Sequence, residues 1–527
     1  MHFEAPYPTR NMPLLAQNVV ATSQPLAAQA GLQMLAKGGN AIDAALAAAI
    51  TLTVVEPTGN GLGSDAFAIV WDGSDLHGLN ASGRSPKDWG PQHLTPEGDI
   101  PERGWNAVTT PGAVSAWVAL SDRFGALPFA TLFEPAINYA QNGFPVSPII
   151  AHLWGVAAKV LSDQPGFAPC FLSNGRAPAA GEVFRNPDQA ESLRLIAQTK
   201  GEAFYHGVLA KKIAEDAAKH GAALSLADMA AHTPTWCGTF SQDYVGIQLH
   251  EIPPNGQGIA ALIALGLLEH HPLANHQPDS PEALHLQIEA IKLGLADAEA
   301  FVADPAHMDV APEALLDATY LEGRAKLIDP KQAKVATQGA PRHGGTVYVT
   351  AADASGRMVS FIQSNYMGFG SGVVVPGTGI SMQNRGAGFV TTKGHANEIA
   401  PAKQPFHTII PGFVMKDGTP EMSFGVMGGP MQAQGHVQMV TRMMLHGQSP
   451  QAASDAPRWR FVAGNEVAVE SSMPDETVRV LESMGHQITR EAPDNSFGFG
   501  GAQLIRRFGE TYVAGSDHRK DGQAVGY

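Results

Sequence analysis

A threonine placed directly behind two glycines, at the head of an apolar run, is the residue here best suited to covalent chemistry. Residues 343–353 read HGGTVYVTAAD, and Thr346 opens the run. Cutting the Gly345–Thr346 bond would give Thr346 a free α-amine, whose reference pKa is about 7.7–8.0. Such an amine takes the hydroxyl proton near neutral pH, so one residue supplies both nucleophile and base. Gly345 opens the strained backbone conformations that attack of the hydroxyl on the preceding carbonyl demands. The plainer reading of the same letters is a strand that starts after a Gly-Gly turn, and the local signal alone favours it.

The elements around this threonine follow from periodicity and caps. TVYVTAAD and MVSFIQSNY read as two strands, and the Asp-Ala-Ser-Gly stretch between them is a hairpin signal. Further strands are expected in GFVMKDG, EVAVESS, AQLIRR and TYVAGSD, with helices at 432–445 and 475–484 between them. Upstream, Asn40 is a natural cap for an Ala-rich helix that is apolar nearly all round and therefore buried. Residues 66–71 read as a buried strand, and helices are expected at 113–124, 132–142, 189–198, 208–220 and 283–301. A mostly helical first part thus precedes a strand-rich second part. Residues 326–345 are polar and turn-rich, as an exposed connector would be.

Bulk properties remove several classes of function. The 527 residues are 44% hydrophobic and 16% charged, the composition of a globular enzyme. A net charge of −15 with no basic stripe argues against nucleic acid as a partner. The start lacks a basic region followed by an apolar core, and the most apolar stretch, 41–55, contains Asp43 and is too short to span a bilayer. These features predict a cytoplasmic protein with no membrane partner. Cys170 and Cys237 make no disulfide framework. Walker A, G-x-S-x-G and H-E-x-x-H motifs are missing. His270, His271 and His276 cluster around Pro272 without an acidic or Cys partner at ligand spacing, which reads as a surface loop and not a metal site.

Blocks along nearly the whole chain resemble the gamma-glutamyltranspeptidase family, in the family's order. They include the opening VATSQPLAAQAGLQMLAKGGNAIDAALAAAI, TPGAVSAW, LFEPAINYAQNGFPVS, PPNGQGIAAL, LHLQIEAIKLGLADAEAFVADP, GFGSGVVVPGTGISMQNRGAGF, FGVMGGPMQAQ, SDAPRW and the ending DGQAVGY. The resemblance implies an α+β fold with four αββα layers, typical of hydrolases with an N-terminal nucleophile. It also implies a precursor cut into a large subunit, 1–345, and a small one, 346–527, which stay together as a heterodimer or pair into a dimer of heterodimers. Thr346 then falls at the nucleophile's position. Ser364 falls where the family has a hydroxyl that supports the nucleophile's amine, although Ser is also ordinary at a strand end. Gly428 and Gly429 match the paired glycines whose amides form the oxyanion hole. Two side-chain-free amides can approach a developing oxyanion closely, each such donor being worth about 3–4 kcal/mol; a tight turn before a helix needs the same letters. No metal or organic cofactor is required.

The substrate pocket departs from the family pattern. Gamma-glutamyl enzymes hold the substrate α-carboxylate with an Arg and a Ser-Ser pair. Here Ser82 stands at the Arg position, with Arg84 two residues on, and His407 and Thr408 replace the Ser pair. The α-amine in those enzymes is held by Asn, Gln and Asp. Asn365, or Tyr366 with a one-residue gap, answers to the Asn, Arg385 replaces the Gln, and Gly388 replaces the Asp. An ammonium leaving water needs an acceptor, and Arg385 would repel it. A guanidinium fork suits a carboxylate instead. Arg385, His407, Thr408, Asn365 and Arg84 are therefore the candidate substrate residues, for an amide that bears a carboxylate and no α-amine. Relatives within the family act on oxamate and on glutaryl-cephalosporin amides, and Phe406, His407 and Arg385 lean the expectation toward a small acid such as oxamate. Each residue also has a structural reading: an ion pair for Arg385, a loop cap for His407. A gamma-glutamyl hydrolase or transpeptidase acting on glutathione, a glutaryl-cephalosporin acylase, and a non-catalytic binding module are the alternatives.

Overall fold

The computed structural model describes Tyr7 and residues 11–335, 345–491 and 498–527. Two seven-stranded antiparallel sheets lie face to face. The first runs Gln523–Gly526, Val19–Thr22, Gly345–Ala352, Met358–Tyr366, Asp65–Trp71, Leu76–Asn80, Thr235–Trp236. The second runs Leu14–Ala16, Thr511–Ser516, Gly501–Phe508, Thr419–Met427, Gly412–Lys416, Ile247–Glu251, Phe240–Tyr244. Both sheets take strands from either side of Gly345. The helical first part and strand-rich second part expected from composition are therefore woven into one body and are not separate domains.

Strand alternation explains the layers. Along Gly345–Ala352, Val347, Val349 and Ala351 face the first helical layer, where the Ala41–Val55 helix is buried along its whole length. Tyr348 and Ala352 point the other way, into the seam between the sheets with Phe67, Ile362, Phe413 and Ile505. On the far side, helices Gly258–Leu268, Pro281–Phe301 and Met431–Val440 cover Val414, Phe424, Val426 and Leu504 of the second sheet. The order is helix, sheet, sheet, helix, the four αββα layers expected. With a period of two, Thr346 shares the seam side with Tyr348.

Several local readings coincide with the structure. Asn40 accepts from the amides of Ile42 and Asp43, and Asp43 returns to the Asn40 amide, closing a capping box on the helix it starts. The helix at Ala113–Phe124 and the strand at Asp65–Trp71 fall where the patterns put them. The helix after the diglycine, Met431–Val440, passes into a π turn over Thr441–Leu445. The connector is largely exposed up to Val335; its remainder before Gly345 lies outside the described residues. No helix among the described residues is long and apolar enough to cross a membrane.

Candidate active site

The strand that carries Thr346 is irregular where it matters. Gly345 pairs with Tyr366 and Val347 with Gln363, so the partner strand holds one extra residue opposite Thr346. Such a bulge re-aims side chains beside a site. It leaves Tyr366 at φ 77, a left-handed conformation that a bulky residue adopts only when its surroundings enforce it. Gly59 makes the close approach possible, because a Cβ there would lie 3.2 Å from the Thr346 carbonyl carbon.

Thr346 is 1% exposed, and its hydroxyl donates to Ser364 Oγ at 3.2 Å. Ser364 Oγ donates in turn to the Gly345 carbonyl at 2.6 Å and accepts from the Tyr366 amide at 2.8 Å. The hydroxyl of Thr346, its supporting hydroxyl and the carbonyl of the preceding bond thus form one chain. A third group approaches from the second sheet's helix: Gln432 Nε2 lies 3.4 Å from Thr346 Oγ1.

Gln432 stands just past the Gly428–Gly429 turn. Both glycines have positive φ, 124 and 60, which excludes most side chains. The Gly428 carbonyl accepts from Met431 N and the Gly429 carbonyl from Gln432 N, so both point into the helix. Across the trans peptide, the Gly429 N–H points the opposite way, out beyond the helix N-terminus. Gln257 ties this turn to the pocket, donating to the Gly429 carbonyl at 2.9 Å and to the Thr408 carbonyl at 2.5 Å.

The pocket candidates separate sharply. Arg385 is 1% exposed, donates from Nη1 to Thr408 Oγ1 at 3.0 Å, and stacks on the Tyr366 ring at 4.7 Å. Its Nε and Nη2 have no hydrogen-bond partner. Burial pulls its pKa down to about 10 against the opposing pull of Asp65. His407, fully buried, accepts the Ile409 amide on Nδ1, which makes Nε2 the protonated nitrogen facing Asp65 at 3.1 Å. Burial, with Arg385 nearby, holds this imidazole well below its usual pKa, so it is neutral. His407 therefore caps its own loop through Nδ1 and serves Asp65 through Nε2, which leaves no ring nitrogen free. Asn365 is committed at both ends, to Ser64 and Ser381. Arg84 is half exposed and held by Asp304 at 2.6 Å and by the Ala402 carbonyl, an ion pair that accounts for it without a substrate. Ser82 is likewise engaged, by Asn80, Asn255 and Gln404. At Gly388 a Cβ would lie 2.7 Å from the Phe406 carbonyl, so the acid found there in gamma-glutamyl enzymes has no room.

Three residues of this site escaped the motif reading. Asp65 is the hub, accepting from the Gly83 and Gly112 amides and from His407; Gln257 and Gln432 are the others. No motif in the sequence announces a carboxylate buried beside an arginine at Asp65. Burial pushes Asp65 up to about 7, with Arg385 pulling back. Its unfolded pKa is about 3.9, so the folded state binds the extra proton and stability falls as pH rises from about 4 to about 7. Asp65→Asn carries no such proton. Its urea midpoint, relative to the parent, should move in its favour between pH 5 and pH 8; an offset independent of pH would mean that Asp65 is ionised throughout.

The histidine clusters do not look like metal centres. His271 Nε2 meets the Ala325 carbonyl at 3.2 Å. Among the described residues one trio, His285, Glu289 and His486, has ligand types in reach of one another. The two imidazoles bond each other at 2.8 Å, and the carboxylate is taken by Lys292 at 2.6 Å and the Lys334 amide. The cation on Glu289 is thus the buried Lys292 ammonium.

Comparison with known proteins shows the family. The Gamma-glutamyltranspeptidase family model matches residues 27–527. The chain is 37% identical to the glutathione hydrolase-like YwrD proenzyme of Bacillus subtilis, over 97% of this chain and 98% of that protein. It is 36% identical to the oxamate amidohydrolase proenzyme of Klebsiella pneumoniae, over 95% of this chain and 97% of that protein. The crystal structure of a cephalosporin acylase from Bacillus halodurans superposes with a TM-score of 0.94 at 44% identity, covering 100% of this chain and 99% of that one. The chain therefore belongs to the gamma-glutamyltranspeptidase family of N-terminal-nucleophile amide hydrolases, on its acylase- and amidohydrolase-like branch.

Proposed function

We propose that this enzyme cuts itself at Gly345–Thr346 into chains 1–345 and 346–527, and then hydrolyses the amide of a small carboxylate-bearing substrate through an ester on Thr346. Arg385 carries the reading. A buried guanidinium with two N–H-bearing nitrogens unpartnered is costly, and a substrate carboxylate supplies the missing bidentate partner. An α-ammonium finds no counterpart: Gly388 has no side chain, Arg385 repels it, and Asp65 is occupied by two amides and His407.

The chemistry follows from the contacts. Thr346 Oγ attacks the amide carbon while the α-amine takes its proton. The oxyanion forms against the Gly428 and Gly429 amides. Collapse expels ammonia or an amine, which leaves with the proton held by the α-amine. Water then attacks the ester, frees the acid and restores the hydroxyl. Tyr366 links the two halves of the site, since its ring lies on Arg385 and its amide on Ser364. That proximity favours a short acid such as oxamate, which would yield oxalate and ammonia.

The test is a substrate panel: ammonia release from oxamate and glutaramate beside cleavage of a gamma-glutamyl anilide. Turnover of a carboxylate amide with little anilide cleavage is expected. Preferential anilide cleavage would mean that the ammonium finds a partner and that the assignment of Arg385 is wrong.

A further inference from the structure

Gln432 has no counterpart in the reading above, yet its side chain reaches the nucleophile. Its amide orientation is decided by the hydrogen-bond network: Oε1 accepts the Ile410 amide at 2.9 Å, so the NH2 end faces Thr346. Gln432 is fully buried and sits in the first turn of the Met431–Val440 helix, whose own amide is used by the Gly429 carbonyl. The Thr346 hydrogen points at Ser364, which leaves an Oγ1 lone pair for Gln432. At 3.4 Å the contact is long, as donors often are before charge develops on their acceptor.

We propose that Gln432 is a donor to the reacting hydroxyl: its Nε2 aims the Thr346 Oγ1 lone pair and takes up negative charge on that oxygen as it attacks. This rests on Thr346 being the nucleophile. In processing, Oγ1 attacks the Gly345 carbonyl carbon and its proton passes to the Thr346 nitrogen. The Gly345–Thr346 C–N bond breaks and an ester forms. Water hydrolyses that ester to a Gly345 carboxylate and a free Thr346 amine. Ser364 holds the carbonyl oxygen throughout, and Gln432 holds the attacking one. The same donor faces Oγ1 again when it attacks substrate.

The discriminating variant is Gln432→Glu. It keeps the volume and the acceptor for Ile410 but replaces the donor with a carboxylate. The titratable group one turn along the helix, His436, is engaged by Glu251 at 2.5 Å. Uncut full-length chain, purified and followed on denaturing gels, should process about a hundredfold slower than the parent at pH 8. It should recover as pH falls toward 5, because a protonated Glu again donates and burial raises its pKa. Processing is the cleaner readout, since it needs no free α-amine. Parental rates with a parental pH profile would reduce Gln432 to a structural tie to Ile410 and overturn the proposal. If Gln432→Glu does not fold, Gln432→Met replaces it, with slow processing at every pH expected and parental processing again overturning. Thr346→Ala is run alongside: cleavage of that variant would sink the nucleophile assignment itself, a different outcome from normal processing of Gln432→Glu.

Discussion

Thr346→Ala should remain a single uncut chain without amidase activity, losing on the order of 10⁴–10⁶ in kcat, as removal of an acylating nucleophile does elsewhere. The side chain loses its hydroxyl and its methyl and keeps the β-carbon. The two contacts forfeited, to Ser364 and Gln432, are long, so folding should survive. Thr346→Ser keeps hydroxyl and amine and should be cut, more slowly, because a serine loses the β-methyl that limits χ1 rotation. N-terminal sequencing of the small chain from the parent should read Thr-Val-Tyr-Val. A cut Thr346→Ala chain, or one active while uncut, would remove Thr346 from the mechanism.

Replacing Arg385 by Gln should separate activity from stability. Deleting one partner of a buried, charge-assisted carboxylate contact costs about 2–5 kcal/mol, so kcat/KM for a carboxylate amide should fall by about 30-fold to 4,000-fold, mostly through KM. Stability should hold or rise, because the free protein no longer carries a guanidinium with two unpartnered nitrogens. Gln can still reach toward Thr408, and Asp65 keeps its two amides and His407. Thermal unfolding and steady-state kinetics on the same preparation decide the matter. A variant that unfolds early while keeping its kcat/KM would make Arg385 a structural counter-ion of Asp65, the bland reading open at the level of sequence. Both experiments bear on the same site from opposite ends, one on the attacking oxygen and one on the group that aims the substrate.

Much of the fold was legible because it is written in short-range signals. The capping box at Asn40, the alternation along residues 346–352 and 358–366, and the diglycine before a helix each follow from neighbours a few residues apart. The supporting hydroxyl Ser364 and the glycines 428 and 429 were legible only through the ordered blocks shared with the family, since their spacing from Thr346 carries no local physics. The exclusion of an acid at position 388 was visible as a letter, but its cause, the Phe406 carbonyl 2.7 Å from any Cβ there, was not.

By itself the amino-acid sequence determined individual strands and helices, since side-chain period and caps suffice for these, while the four layers, Thr346 as nucleophile and the missing ammonium partner were legible only through the resemblance to the family. Only the tertiary structure decided which charges are spent and which are left over. Arg84 is satisfied by Asp304, 220 residues away, and His407 by Asp65, 342 away, while Gln432 reaches Thr346 across 86. Arg385 alone among the pocket candidates is buried with N–H-bearing nitrogens unpartnered. Whether a guanidinium is free for substrate depends on desolvation and on partners from distant strands, and chain spacing does not encode either.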